Sequence, residues 1–105
     1  MYSLLFTETA KQNYLDIGRY IANESKNIDI AIKFIQKLQK ETERLKNYPN
    51  SGILPKDRFL LSVGYRFLIY GDYLTFYKTD EVEKKVIIYA VINGKRNYSK
   101  FLKKI

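Results

Sequence analysis

The most informative part of the sequence is the run VIIYAVI at residues 86–92. It is apolar almost throughout and rich in β-branched side chains, which is typical of a strand covered on both faces. We therefore predict that it forms the central strand of a sheet. The polar segment just upstream, Lys78 to Glu83, predicts a loop that leads into this strand.

Two shorter apolar runs lie further upstream, Phe67 to Tyr70 and Tyr73 to Tyr77, and only Gly71 and Asp72 separate them. Glycine accepts the positive φ that a tight turn demands, so this spacing predicts a β-hairpin. The preceding segment, Arg58 to Val63, is compatible with one more strand.

The first half of the chain has the spacing of helices. Tyr2 to Phe6 predicts a short strand, after which Thr7 is placed to cap a helix. Apolar residues then recur every three or four positions, first at Ala10, Tyr14, Ile17 and Ile21 and then at Ile28, Ala31, Ile32, Ile35, Leu38, Thr42 and Leu45. The polar link Asn23 to Asn27 separates two helices, of which the second is predicted to be longer. The turn formers from Asn47 to Gly52 end it.

This order of elements predicts an α+β domain in which an antiparallel helical hairpin packs on one face of a mostly antiparallel sheet. The last residues, Tyr98 to Ile105, predict a short C-terminal helix. A chain of 105 residues fits one domain, so we assign residues 1–105 to a single domain.

Composition excludes several classes of site. The chain has no cysteine, which rules out disulfides and thiolate metal sites, and no histidine, the side chain best suited to proton transfer near neutral pH. Glycine-rich phosphate loops and metal-ligand spacings are missing, so we expect no cofactor and no metal. No run approaches the roughly 20 apolar residues that span a bilayer, and no secretory pattern opens the chain. We therefore expect a cytoplasmic protein without a membrane partner.

A formal net charge of +8 favours an acidic partner, such as nucleic acid or an acidic protein. The cations concentrate after the central strand, between Gly94 and Lys104, where no carboxylate occurs. Lys95, Arg96, Tyr98 and Lys100 in this segment are candidate binding residues for phosphates or for the acidic side chains of a partner. The alternative is a solvated tail.

Arg66 is the other candidate, because a cation near the start of an apolar strand is costly unless it is paired or faces solvent. It either lines a cleft beside Arg96 or is an ordinary exposed strand residue. We expect Arg66 and the cationic C-terminal segment to share one accessible surface.

An ordered series of short motifs spans nearly the whole chain. It comprises Phe6-Thr7, Ala10, Ile17–Ile21, Ala31–Ile35, Leu45, Tyr48–Gly52, Gly64–Arg66, Tyr73–Tyr77 and Val91–Tyr98. In order and spacing the series resembles the ParE/RelE superfamily of bacterial toxins. The resemblance implies an α+β toxin, encoded beside an antitoxin whose extended or helical segment wraps the toxin and blocks it.

Two activities occur in this superfamily, ribosome-dependent mRNA cleavage in RelE-like toxins and poisoning of DNA gyrase in ParE-like toxins. RelE-like toxins use a cluster of lysines and arginines on the strands with a tyrosine near the C-terminus. Arg66 and Arg96 match two of the basic positions. If the chain is RelE-like, the resemblance therefore implies that Arg66, Arg96 and Tyr98 are catalytic.

Departures from the RelE-like pattern favour the ParE-like branch. Leu68 and Leu74 stand where further cations are expected, and Leu102 stands near the position of the tyrosine. The ParE-like branch implies a cognate antitoxin and DNA gyrase as partners, and no enzymatic activity. The RelE-like alternative implies the ribosome and mRNA instead, and a third alternative is a non-toxic basic module that docks an acidic antitoxin or RNA.

Overall fold

The computed structural model describes residues 1–105 and shows a four-stranded sheet with helices on both faces. The elements in chain order are β1 (Ser3–Phe6), α1 (Glu8–Ser25), α2 (Ile28–Lys40), a 3₁₀ helix (Glu41–Lys46), α3 (Arg58–Ser62), β2 (Arg66–Tyr70), β3 (Tyr73–Asp80), β4 (Lys85–Asn93) and α4 (Tyr98–Lys103). The predicted α+β class, helical hairpin and short C-terminal helix are confirmed. None of the helices is both long and apolar enough to cross a membrane.

The strands are ordered β1-β4-β3-β2, so the apolar run at 86–92 lies between two neighbours, as predicted. β1 pairs with β4 in parallel, and the other two pairings are antiparallel. A bulge leaves Tyr89 without a partner on β3. Its carbonyl accepts a hydrogen bond from the Thr7 hydroxyl at 2.9 Å, and the side chain of Asn13 accepts one from the N–H of Val91 at 2.9 Å. Polar groups freed by the bulge thus fasten α1 to the central strand.

Side-chain caps define where the two long helices begin. The Thr7 hydroxyl accepts a hydrogen bond from the N–H of Ala10, and the Asn27 side chain accepts from the N–H groups of Asp29 and Ile30. Lys26, between the helices, takes a left-handed conformation with φ 56°. The chain therefore reverses within two residues, and the two helices pack against each other as a hairpin.

The prediction that the second helix is the longer of the two is wrong. α2 ends at Lys40, and the chain continues to Lys46 as a 3₁₀ helix, in which the Thr42 hydroxyl donates to the carbonyl of Gln39. The apolar stripe is also only partly buried: Leu38 and Leu45 lie in the core, but Ile28 and Ile32 are exposed.

Two further predictions are wrong. Residues 78–83 do not form a loop, because β3 continues to Asp80 and pairs there with Lys85. Residues 58–63 form no strand, because the Asp57 carboxylate accepts a hydrogen bond from the N–H of Leu60 and caps the short helix α3.

The sheet buries a core on each face. The helical face, which α1 and α2 cover, buries Ala10, Tyr14, Ile17, Leu38, Leu45, Leu68, Tyr77, Val86, Ile88 and Val91. The opposite face, here called the C-terminal face because α4 covers it together with α3, buries Leu60, Tyr65, Phe76, Ala90, Ile92 and Leu102. Successive side chains of a strand point to opposite faces, so neighbouring residues contribute to different cores.

One buried hydroxyl in the helical core has no partner. The side chain of Tyr14 is 5% exposed, and its hydroxyl makes no hydrogen bond. Burial raises the pKa of Tyr14 to about 12, so the hydroxyl stays protonated at physiological pH. We expect Tyr14→Phe to stabilise the free protein by about 1 kcal/mol, since it removes an unsatisfied polar atom and keeps the ring. Chemical denaturation measures this, and a lower unfolding free energy for the variant would show that the hydroxyl has a partner.

Candidate functional site

Arg66 lies on the helical face of the sheet. It pairs in register with Tyr77, whose ring belongs to the core beneath α1. The guanidinium donates through Nη1 to the carbonyl of Gly52 at 3.0 Å. Arg66 is therefore half-buried and bound to the turn that follows the 3₁₀ helix.

The hydroxyl of Tyr77 forms hydrogen bonds with the same turn from the core side. It accepts a hydrogen bond from the N–H of Gly52 at 2.9 Å and donates to the carbonyl of Pro49 at 2.7 Å. Burial raises the pKa of Tyr77, while the Gly52 N–H and the Arg66 guanidinium oppose that rise. Arg66 and Tyr77 together fix the turn, which is the structural role we favour for both.

The C-terminal segment lies on the other face. The ring of Tyr98 packs on Phe76 with 5.2 Å between centroids, and Leu102 is buried beside Leu60. Lys103 pairs with Asp57 at 3.5 Å, which ties α4 to the start of α3. The N–H of Leu60, together with Ser99 and Lys103, lowers the pKa of Asp57. α4 is thus a packed element and not a frayed tail.

The prediction that Arg66 and the C-terminal segment share one surface is wrong. Tyr77 and Phe76 are consecutive in β3, so their side chains point to opposite faces. Arg66 lies beside Tyr77 and Tyr98 lies on Phe76. The sheet therefore separates Arg66 from Tyr98.

The remaining candidate cations lie together around the start of α4. Lys95 and Arg96 are in the turn after β4, and Lys100 is in the first turn of α4. All three are exposed, and none takes part in the four ion pairs of the structure. Their charges are therefore available to a partner.

A cluster that the sequence did not reveal lies on the C-terminal face. The ammonium of Lys78 stands 4.6 Å from the ring centroid of Tyr65 and 5.1 Å from that of Tyr89. We call these three residues the tyrosine-lysine cluster. The sequence obscures this cluster because the polar segment from Lys78 to Glu83 predicts a loop, whereas Lys78 lies within β3.

An apolar groove runs along the helical hairpin. This open groove between α1 and α2 has a volume of about 1030 Å³, and its lining includes the exposed side chains of Leu15, Ile28 and Ile32. A second groove of about 510 Å³ follows β1 and the 3₁₀ helix, and it shares Phe6 and Glu43 with the first. We call the two together the hairpin groove. Its sequence signal was the excess of apolar positions on α2 over those needed for the core.

No group of three or more Asp and Glu side chains is arranged to hold a metal ion. The candidate surfaces described above consist of cations, tyrosines and apolar side chains, which suit binding to an acidic or apolar partner.

Sequence comparison with protein families agrees with this architecture. The family model described as the ParE toxin of the type II toxin-antitoxin system, parDE, matches residues 4–98. The chain belongs to the ParE toxin family. This ParE-family chain is accordingly a type II toxin of the ParE/RelE superfamily. No curated protein matches its sequence.

Solved structures share the fold of this ParE-family chain at low sequence identity. A chain of the chromosomal ParDE TA system from P. aeruginosa has a TM-score of 0.73 and 16% identity, over 89% of this chain and 96% of that one. The isolated E. coli RelE toxin has a TM-score of 0.61 and 16% identity, over 99% and 98%. The toxin-antitoxin complex RelBE2 from Mycobacterium tuberculosis contains a chain with a TM-score of 0.56 and 22% identity, over 88% and 96%. At these identities the likeness establishes the fold alone.

Proposed function

We propose that this ParE-family toxin inhibits DNA gyrase and that a cognate antitoxin neutralises it. The observation that carries the choice of gyrase is the separation of Arg66 from Tyr98, two of the residues that would act together in an mRNA-cleaving toxin. Arg66 is bound to Gly52 on the helical face, whereas Tyr98 packs on Phe76 on the C-terminal face.

RNA cleavage through the 2′-hydroxyl needs a base, an acid and cations close to one phosphate. Leu68 and Leu102, which stand where a cation and the tyrosine are expected, are both buried, at 3% and 2% exposure. Neither position has room for the larger polar side chain without repacking the core. A gyrase inhibitor needs a binding surface instead, and missing acid and base groups do not count against it.

The second candidate is a RelE-like mRNA interferase. The free cations Lys95, Arg96 and Lys100 beside Tyr98 favour it, because such a group suits a phosphate backbone. Under this candidate Arg96 and Tyr98 act without Arg66. A non-toxic binding module would use the same cations only to dock a partner.

The hairpin groove is the proposed binding site of the antitoxin. Leu15, Ile28 and Ile32 are 55%, 67% and 49% exposed there, an apolar surface that a partner helix would cover. Lys11, Arg19, Lys40 and Glu43 also line the part between the helices, and of the three cations only Lys40 takes no part in an ion pair. Its charge suits a segment that is apolar on one side and acidic along its margin.

Two of the solved complexes, E. coli RelBE and M. tuberculosis RelBE2, are described as toxin-antitoxin complexes and contain chains of this fold. That likeness supports an antitoxin partner for the present chain as well. The smaller groove, of about 510 Å³, follows β1 and the 3₁₀ helix, which suits an extended continuation of the antitoxin segment.

Expression of the toxin without its antitoxin tests the proposed activity. We expect DNA synthesis, measured by incorporation of labelled thymidine, to stop while transcripts remain intact. Transcripts cut at codon-defined positions by the parent toxin, and left intact by the Arg96→Ala variant, would establish the RelE-like alternative. Arg19→Ala is the matched control, because Arg19 is an exposed arginine on α1, away from the C-terminal face.

A further inference from the structure

The tyrosine-lysine cluster contains three hydrogen-bond donors that the protein itself does not satisfy. The rings of Tyr65 and Tyr89 stand 5.6 Å apart at 81°, and the ammonium of Lys78 lies against both. None of the four ion pairs of the structure includes Lys78. An ammonium group that is held against two tyrosine rings and has no carboxylate partner is suited to receive an anion.

The neighbouring carboxylate is already engaged. Asp80, two positions further along β3, accepts hydrogen bonds from the N–H groups of Val82 and Glu83 at 3.0 and 2.9 Å. Burial, and then the nearby Tyr89, raise the pKa of Tyr65. The hydroxyl of Tyr65 therefore remains protonated and able to donate at physiological pH.

The surface around the cluster is open and apolar. Leu5, Ile87 and Lys78 pair across three adjacent strands, so their side chains form a row on the C-terminal face. Leu5 is 45% exposed. The helices α3 and α4 cover the other part of this face, around Phe76, and leave this row uncovered.

We propose that this open part of the C-terminal face docks the toxin's protein target, and that the tyrosine-lysine cluster receives a carboxylate side chain from it. The proposal rests on the proposed function in one respect, namely that the target is a protein. Tyrosines are enriched at the energetic centre of protein interfaces.

Nucleic acid fits this surface less well, because a phosphate backbone is followed by a series of cations. Here the row beside Lys78 consists of the apolar side chains of Leu5 and Ile87, and Lys85 is the next cation on the same part of the face. The antitoxin is assigned to the hairpin groove, whose larger part lies between α1 and α2, on the opposite side of the sheet. The target and the antitoxin would thus occupy different surfaces.

Lys78→Met tests the proposal, because methionine keeps the unbranched side chain against the rings and removes the charge. We expect the variant to bind purified gyrase at least about tenfold more weakly, since the partner's carboxylate would be left unpaired. Lys78→Arg should retain binding, and Lys33→Met, an exposed lysine on α2, should leave it unchanged. All three variants should keep the thermal melt and the antitoxin affinity of the parent.

Wild-type binding to gyrase by Lys78→Met would overturn the proposal. So would weakened binding to a single-stranded RNA oligonucleotide with gyrase binding intact, because the occupant would then be nucleic acid. If the parent toxin itself does not bind gyrase, the proposed function fails, and toxicity in cells then decides the role of this face. Loss of toxicity in a folded Lys78→Met supports a docking role, and full toxicity overturns it.

Discussion

Gly52→Ala is expected to lower the free energy of unfolding by about 3 kcal/mol. A Cβ at this position would stand 2.7 Å from Cε1 and 2.9 Å from Cζ of Tyr77. The ring cannot move aside, because it is fully buried and its hydroxyl is bonded to Gly52 and Pro49. The turn must shift instead, which breaks those bonds and displaces the carbonyl that Arg66 holds. Urea denaturation followed by circular dichroism measures the loss.

Gly18→Ala is the matched control for this substitution. A Cβ at Gly18 would meet only Cγ1 of Ile35, at 3.6 Å, which is an ordinary contact. Alanine inside a helix is favoured over glycine by roughly 0.5–1 kcal/mol, so this variant should be as stable as the parent or more stable. Equal stability of the two variants would contradict the role given to Arg66 and Tyr77 in fixing the turn.

Ile32→Asp is expected to weaken antitoxin binding at least about a hundredfold. The side chain is half exposed in the hairpin groove, so the free toxin should fold normally. On binding, the new carboxylate would be buried against an apolar and acidic segment without a partner. Co-expression with the antitoxin should therefore no longer protect cells from this variant. Calorimetry with the purified pair gives the affinity directly.

Ile69→Asp is the control, because Ile69 is similarly exposed, at 54%, but lies on the C-terminal face. Its neighbour in β2, Leu68, points to the helical face, so Ile69 points away from it. It should leave antitoxin affinity unchanged. Normal neutralisation of Ile32→Asp, or equal losses for both variants, would mean that the antitoxin does not use the hairpin groove.

Local patterns predicted the elements whose signals lie within a few residues. The run at 86–92 became β4, and Gly71, with φ 57°, closes the predicted hairpin. Thr7 caps α1 because its hydroxyl is three residues from the N–H it bonds. These features depend on spacing, which the sequence displays directly.

Long-range pairing explains one of the errors. Thr79 lies in β3 because Val86 of β4 pairs with it, and no feature of the polar segment itself predicts that pairing. The helix at 58–62 had a local signal, since Asp57 is placed as an N-cap, but the apolar residues that follow suggested a strand instead.

The candidate site was predicted less well than the fold because strand parity decides which face a side chain occupies. A shift of one position sends Arg66 to one face and its neighbour Phe67 to the other. The sequence shows which residues carry charge but does not show the register of the strands. It therefore predicts one surface for Arg66 and Arg96. The same limitation concealed Lys78, whose partners Tyr65 and Tyr89 come from different parts of the chain.

Supercoiling of relaxed plasmid by purified DNA gyrase tests the proposed activity most directly. We expect the toxin to stop supercoiling, and the antitoxin, mixed with the toxin beforehand, to restore it. Undiminished supercoiling at saturating toxin, together with cleavage of mRNA on programmed ribosomes, would contradict the account and establish the RelE-like activity instead.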